Sequence, residues 1–447
     1  MYSASPKEAG ERVLAEWWPV IKGHARQMAW VLGGKGALLA ANTLIMLLLA
    51  RRLPLDTYGL FATFVGLQVL VSRALLAGLD NTVVRLANLD ELRPYANDVM
   101  GTGLRILRNT SLGLVAVAMV LWPLQEVLGT HWPAWAVAAA VVGSVGLALV
   151  DYSYFCRLAE LGYRGGARLQ AGPALVRCAA TAAVVYSTNW PPLVFLVYGG
   201  VSLGLGLLQV APLRTARRPA THGLARRILR YSVWPATANV TAAFSLHQGT
   251  FLLAFMGLTA EAGIFGLALT LSLGFFTLKN AFYEYLLPRM VHVPSTAALP
   301  RFLTRSLLAA AAVATACIPV AALVGWALPH VLQPEMVQSV GPFYILSASM
   351  LLLIIQSPLE AASLYLMRPQ FVTCGWIVRV TAIGAFGFAL APRWGASGAA
   401  AAQLAGGLVA FVFMTVVVFV TLRRAAQSGV SPVVNASAVQ APLANLN

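Results

Sequence analysis

The sequence predicts an all-α, polytopic membrane protein of about twelve transmembrane helices, in two six-helix lobes related by a pseudo-twofold axis along the membrane normal. Three observations predict it. Of 447 residues, 59% are apolar and 10% charged, whereas soluble domains carry roughly 45–50% and about 25%. Apolar runs near twenty residues long recur along the chain, and about 20 are needed to cross a ~30 Å hydrocarbon layer. The second half also repeats landmarks of the first at one constant offset. An ordinary cytosolic enzyme is excluded. With the bilayer as solvent, the net charge of +16 bears on sidedness, not on nucleic acid.

Residues 1–28 carry Glu8, Glu11 and Glu16 and lack the central apolar stretch of a cleavable signal. They read as a cytoplasmic interfacial helix. Ser5-Pro6-Lys7-Glu8 fits a capping box with proline at the first helical position, and Trp17 and Trp18 suit a membrane surface. A partly ordered polar arm is the alternative. The first lobe, 29–212, places spans near 29–50, 58–79, 107–124, 134–155, 170–187 and 192–212. A basic cytoplasmic linker, 213–231, holds six arginines from Arg214 to Arg230. The second lobe, 232–424, places spans near 232–256, 261–283, 306–328, 341–365, 371–391 and 398–421, with bends expected at Pro235 and at Gln356-Ser357-Pro358. The tail, 425–447, reads as disordered. Runs this long and uniformly apolar are helices, because lipid leaves no backbone group free to go unpaired. Cys156, Cys178, Cys317 and Cys374 have neither metal nor redox spacing and read as packing residues, so no metal or cofactor is implied.

Lys and Arg accumulate in cytoplasmic loops. With the N-terminus inside, 23 of the 31 fall on inner segments, five lie within spans, and three, Arg51, Arg52 and Arg393, lie on outer loops. Both termini are expected in the cytoplasm.

The repeat is read by setting RLPLDTYGLFATF and GLDNTVVRLA against GLTAEAGIFGLAL and FYEYLLPRMV. A shift of 204 residues superposes Gly59 on Gly263, Phe61 on Phe265, Asp80 on Glu284 and Arg85 on Arg289. Nearly the same shift, 202–204, sets Arg177 over Arg379 and Trp190 over Trp394. Six spans per half make the repeat parallel, with the substrate path expected in the cleft between lobes that rock around it.

LLLARRLPLDTYGLFATF followed by GLDNTVVRLA resembles the polysaccharide-transporter branch, the Wzx-like O-antigen unit exporters, of the multidrug/oligosaccharidyl-lipid/polysaccharide flippases. GLTAEAGIFGLAL with its LLPRM ending, and PRWGASGAAAAQL, extend the resemblance over nearly the whole chain. It implies a MATE-like fold in a bacterial cytoplasmic (inner) membrane and no enzymatic activity. It also implies a polyprenyl-pyrophosphate-linked glycan as cargo, with membrane lipid and polysaccharide polymerase or assembly proteins as partners. Many relatives carry an acidic and then a basic residue in the seventh span, where this chain reads His247-Gln248-Gly249-Thr250.

A Lys or Arg in mid-span costs roughly 2.5–3.5 kcal/mol on insertion scales. Arg177 and Arg379 are expected in structural ion pairs with Asp151 and Glu360, which precede them at similar depth. Lys35, Arg73 and Lys279 have no such acid nearby in sequence. They are expected to form a cationic cavity near the inner side that takes a pyrophosphate, with snorkelling to the interface as the alternative. Asn42, Asn239, His247, Gln248, Ser272 and Tyr283 would line it, although a lone intramembrane His such as His247 is more often a packing residue. Gly59, Ala62, Gly66 and Arg73 form one stripe, either a groove wall or a tight helix contact. Asp80, Arg85, Glu284 and Arg289 are expected to make an inner gate by bonds across the lobes, against the alternative of solvated loop charges. Competing functions are a drug or metabolite exporter of the same superfamily, a membrane polysaccharide polymerase or glycosyltransferase, and a non-transporting scaffold. Few embedded acids, and outer connections of about 12 residues, weigh against the first two.

Overall fold

The computed structural model describes residue 30 and residues 33–88, 95–121, 133–160, 162–188, 190–215, 223–291, 298–366 and 368–428. The expected helix of 1–28 with Trp17 and Trp18, the middle of the linker and the tail beyond 428 lie outside the described residues.

The first half contains α1 (Gly33–Arg52), α2 (Leu55–Leu76), α3 (Leu79–Ala87), α4 (Ala96–Leu121), α5 (Ala134–Ala159), α6 (Tyr163–Ser187) and α7 (Pro191–Val210). The second contains α8 (Leu224–Phe255), α9 (Thr259–Val291), α10 (Leu299–Val331) and α11 (Val340–Tyr365). Pro369–Ser428 then forms two helices, α12 (369–394) and α13 (396–428), broken at Gly395 (φ 53, ψ −131). Among the described residues eight segments are long and apolar enough to cross a membrane, the last of them, Pro369–Arg424, holding both α12 and α13. The more polar α4, α6 and α8, of 26, 25 and 32 residues, complete six spans per half.

Several helices overrun the apolar runs at the end where the linker lies. There α4, α6 and α8 begin earlier than expected, and α9 runs on to Val291. An apolar run measures the hydrocarbon layer, whereas backbone hydrogen bonding continues into the polar interface beyond it. Pro235 and Pro358 lie inside α8 and α11. Cys156 and Cys178 are buried as expected, but Cys374 is exposed.

At the end of α2 the chain turns through Ala77 (φ 47) and Gly78 (φ 72) into α3. Gly78 is needed twice over, since a Cβ there would sit 2.6 Å from the Ser232 carbonyl oxygen of α8.

Within the lobes α2 packs on α5, and α9 on α11; across them α2 meets both α8 and α9. One apolar cluster runs through both lobes on the side away from the linker, from Ile45, Phe61 and Phe195 to Phe265, Phe343 and Ala396. At the linker end it divides. One cluster, around Leu79, Val83 and Tyr152, belongs to the first lobe and takes in Leu224 and Ile228 of α8. Another, around Leu286, Leu303 and Met414, belongs to the second.

Candidate functional site

The lobes meet on the small-residue stripe of α2. A Cβ on Gly59 would overlap the carbonyl oxygen of Thr259, and one on Gly263 would stand 3.0 Å from the Gly59 nitrogen and 3.2 Å from the Leu55 carbonyl oxygen. Thr259 and Gly263 are Leu55 and Gly59 shifted by 204 residues. Gly266, the counterpart of Ala62, likewise faces Ala62. Each residue on the axis therefore touches its own repeat partner, as a twofold requires. A Cβ on Gly66 would press on the His247 ring at 3.0 Å. The stripe is thus a tight helix contact, not a groove wall, and His247 packs in it beside Phe251.

At the linker end the same symmetry governs polar bonds. Lys35 of α1 donates to Glu284 of α9 at 2.5 Å, and Asn239 of α8 donates to Asp80 of α3 at 2.9 Å. Asn239 is Lys35 shifted by 204 residues, as Glu284 is Asp80. Two pseudosymmetric bonds therefore tie α1 to α9 and α8 to α3. Ser232 adds a third crossing by donating to Thr82 at 2.8 Å. Bonds do cross the lobes here, but not between the expected groups. Arg85 stacks on Tyr231 instead, 4.9 Å from the ring centroid, because on α3 it lies on a different face from Asp80. The Arg289 side chain lies outside the described residues.

Each lobe also holds an ion pair between its second and fourth spans. Arg73 of α2 meets Asp151 of α5 at 3.2 Å and lies 4.0 Å from Asp80; Lys279 of α9 meets Glu360 of α11 at 2.6 Å. This corrects the expected pairing of Asp151 with Arg177 and of Glu360 with Arg379. Arg177 instead donates to Asn42 at 2.6 Å and to Ser202, and lies 4.5 Å from the Tyr198 ring centroid. Arg379 donates to Ser349 at 3.0 Å beside Trp376. The reason is rotational: α2 presents Arg73 to α5, and α9 presents Lys279 to α11, along the faces by which these helices pack within their lobes. Arg177 and Arg379 act on the same two carboxylates only through longer-range electrostatics.

The expected cationic cavity is therefore not assembled here, because Lys35, Arg73 and Lys279 each hold a carboxylate. Their surroundings differ. The Lys279 side chain is 7% exposed and lies among the rings of Phe276, Tyr283 and Trp376. Those of Lys35 and Arg73 are 16% and 33% exposed, and Glu284 is half exposed. The expected polar lining is also redistributed. Asn42 fixes Arg177, and Asn239 joins the lobes. Gln248 donates to the Val380 carbonyl, and Ser272 is buried against α11. Tyr283 stands beside Lys279. Buried polar groups in a lipid-solvated protein find partners within it, which draws these side chains inward.

At the far end the lobes are also joined. Arg51 donates to the Val331 carbonyl at 2.6 Å, Gln333 to the Arg51 carbonyl at 2.5 Å, and Thr259 to Asp56 at 3.0 Å. Glu261 accepts from the Ala396 N–H at 2.7 Å, beside the break at Gly395. Among the described residues no cluster of three metal-ligating side chains occurs.

This arrangement defines a class of fold. The chain superposes on the lipid II flippase MurJ, inward closed, with a TM-score of 0.64 at 10% identity over 86% of each chain. It superposes on the MATE multidrug transporter DinF-BH with a TM-score of 0.63 at 13% identity, over 88% of this chain and 94% of that one. An inward-facing multidrug-resistance MATE transporter of the MOP superfamily gives 0.61 at 12% identity, over 88% and 96%. The chain has the fold that these transporters and this flippase share. No family model and no characterised protein matches its sequence.

Proposed function

We propose that the protein is a flippase of the multidrug/oligosaccharidyl-lipid/polysaccharide type, working by alternating access in a bacterial cytoplasmic membrane with both termini inside. Its cargo is a polyprenyl-pyrophosphate-linked oligosaccharide, the repeat unit of a surface polysaccharide. The observation that carries this reading is the contrast between the two ends. Away from the linker the lobes share one extended apolar cluster; at the linker end the clusters are separate, the start of α8 (Leu224 and Ile228) packing into the first lobe's, and Lys35–Glu284, Asn239–Asp80 and Ser232–Thr82 bridge the lobes. Polar bonds exchange for water at small net cost, whereas parting an apolar face exposes it. The linker end is thus the end that opens first.

When it opens, Lys35 gives up Glu284. Its ammonium, and the half-buried Arg73 guanidinium that keeps Asp151, then face the widening cleft, and a pyrophosphate supplies the oxyanion that Lys35 loses. Lys279 stays with Glu360 as a structural pair. The prenyl chain remains in lipid while the glycan crosses between the lobes. The carboxylates Asp151 and Glu360 are engaged by Arg73 and Lys279, so they are not offered to a cationic drug.

The test is reconstitution in vesicles with a fluorescent polyprenyl-pyrophosphate oligosaccharide, read by its accessibility to a glycosidase outside. The expected result is faster exposure with protein than without, falling to the protein-free rate for K35A/R73A. Equal rates with and without protein, or a wild-type rate for K35A/R73A, would overturn the proposal.

A further inference from the structure

A cavity of about 670 Å³ lies not between the lobes' cations but at the far end, in the crevice between α1, the end of α6 and the end of α10. Arg51 and Arg52 stand on its wall, two of the three basic residues expected in loops on that side. Neither has a carboxylate within ion-pair distance among the described residues. Both are held in place. Arg51 spends its Nε–H on the Val331 carbonyl and Arg52 lies over the Tyr186 ring, 4.6 Å from its centroid; among the described residues neither places a terminal N–H donor on another side chain. His330 and Gln333 complete the polar rim from the second lobe.

Below this rim the wall is apolar. Leu44, Leu47 and Leu48 line the cavity from one face of α1, at spacings of three and four. At 1.5 Å per residue, Leu48 lies about 4.5 Å and Leu44 about 10 Å deeper than Arg51. Leu44 is 59% exposed, so the crevice opens sideways toward lipid. Trp190, Trp326 and Trp394 are exposed near the same end, as in an interfacial aromatic belt. Paired guanidinium donors above a strip of leucines match one kind of molecule: a phosphate headgroup with a hydrocarbon tail.

We propose that this crevice binds a phosphate-bearing lipid of the adjoining leaflet, its phosphate on Arg51 and Arg52 and its chain along Leu44, Leu47 and Leu48. A bulk phospholipid and a polyprenyl pyrophosphate offer the same chemistry, and the site does not depend on which of them is carried across the membrane. Because its rim draws on both lobes, the bound lipid also bridges them at this end.

The experiment is native mass spectrometry of the purified full chain in detergent. Phosphatidylglycerol, a phosphate-free galactolipid and a polyprenyl pyrophosphate are added separately. The wild type is expected to retain phosphatidylglycerol at least tenfold better than the galactolipid. R51Q/R52Q should lose that preference, while R423Q/R424Q, altered at the opposite end, keeps it. R52Q alone, and L47W, which fills the apolar strip but keeps both arginines, carry the test should R51Q/R52Q fail to fold; each is expected to cut retention several-fold. Stronger retention of the polyprenyl pyrophosphate through the same arginines would assign the site to a carrier lipid, and weaker retention to bulk phospholipid; either outcome supports it. Equal retention of galactolipid and phosphatidylglycerol, or wild-type retention in R52Q and L47W, would overturn it. None of these readouts involves flipping, so failure here leaves the transport proposal standing, and the reverse holds too.

Discussion

Removing one of the two pseudosymmetric bonds should bias the protein toward opening at the linker end. The Lys35 side chain is 16% exposed but that of Glu284 is 52% exposed, so the pair sits near the surface limit. Exposed ion pairs contribute about 0.2–1 kcal/mol, and the shielded lysine places this one toward the upper figure. A loss of about 1 kcal/mol changes a two-state ratio about fivefold. K35A and E284Q should therefore each shift the closed-to-open ratio by about two- to fivefold. Their cycle with the double variant should show a coupling of about 0.5–1 kcal/mol. The assay is the distance distribution between spin labels at Glu160, just past the end of α5, and Arg301 of α10, both exposed at the linker end, in a chain with its four cysteines replaced. The repeat supplies a stricter version. In K35N/N239K the lysine moves to the equivalent position opposite Asp80, and the closed population should return toward that of the wild type. A coupling within about 0.3 kcal/mol of zero, together with no recovery in the swap, would refute the view that these bonds latch the lobes.

Gly263→Ala adds a methyl group 3.0 Å from the Gly59 nitrogen, at the axis. It should cost about 1–3 kcal/mol, seen as a lower Tm. E360Q leaves Lys279 buried without its carboxylate and should destabilise by about 3–5 kcal/mol, whereas K279M/E360M, which removes both charges, should unfold near the wild-type temperature. E261Q weakens the acceptor of the Ala396 N–H beside Gly395 and should lower the Tm by a degree or two, with greater proteolytic nicking at the α12–α13 break as the readout.

The sequence by itself determined the solvent, the number of spans and the duplication. A hydrocarbon layer imposes a fixed length on every apolar run, so twelve spans are legible without tertiary information. The shift of 204 residues is equally local to the chain, and applied to Lys35 it reaches Asn239. Residue type hides that equivalence, because Lys and Asn do not look alike; what they share is the ability to donate a hydrogen bond to an acid. The tertiary structure alone decided which acid each cation meets. Lys35 and Glu284 are 249 residues apart, and Lys279 and Glu360 are 81 apart. Their meeting depends on how each helix is rotated about its axis, which is set by the close approach of Gly59, Ala62 and Gly66 to the opposite lobe. Depth in the membrane can be counted along a sequence at 1.5 Å per residue. Azimuth is set by packing, and it placed Arg73 and Lys279, not Arg177 and Arg379, against the buried carboxylates.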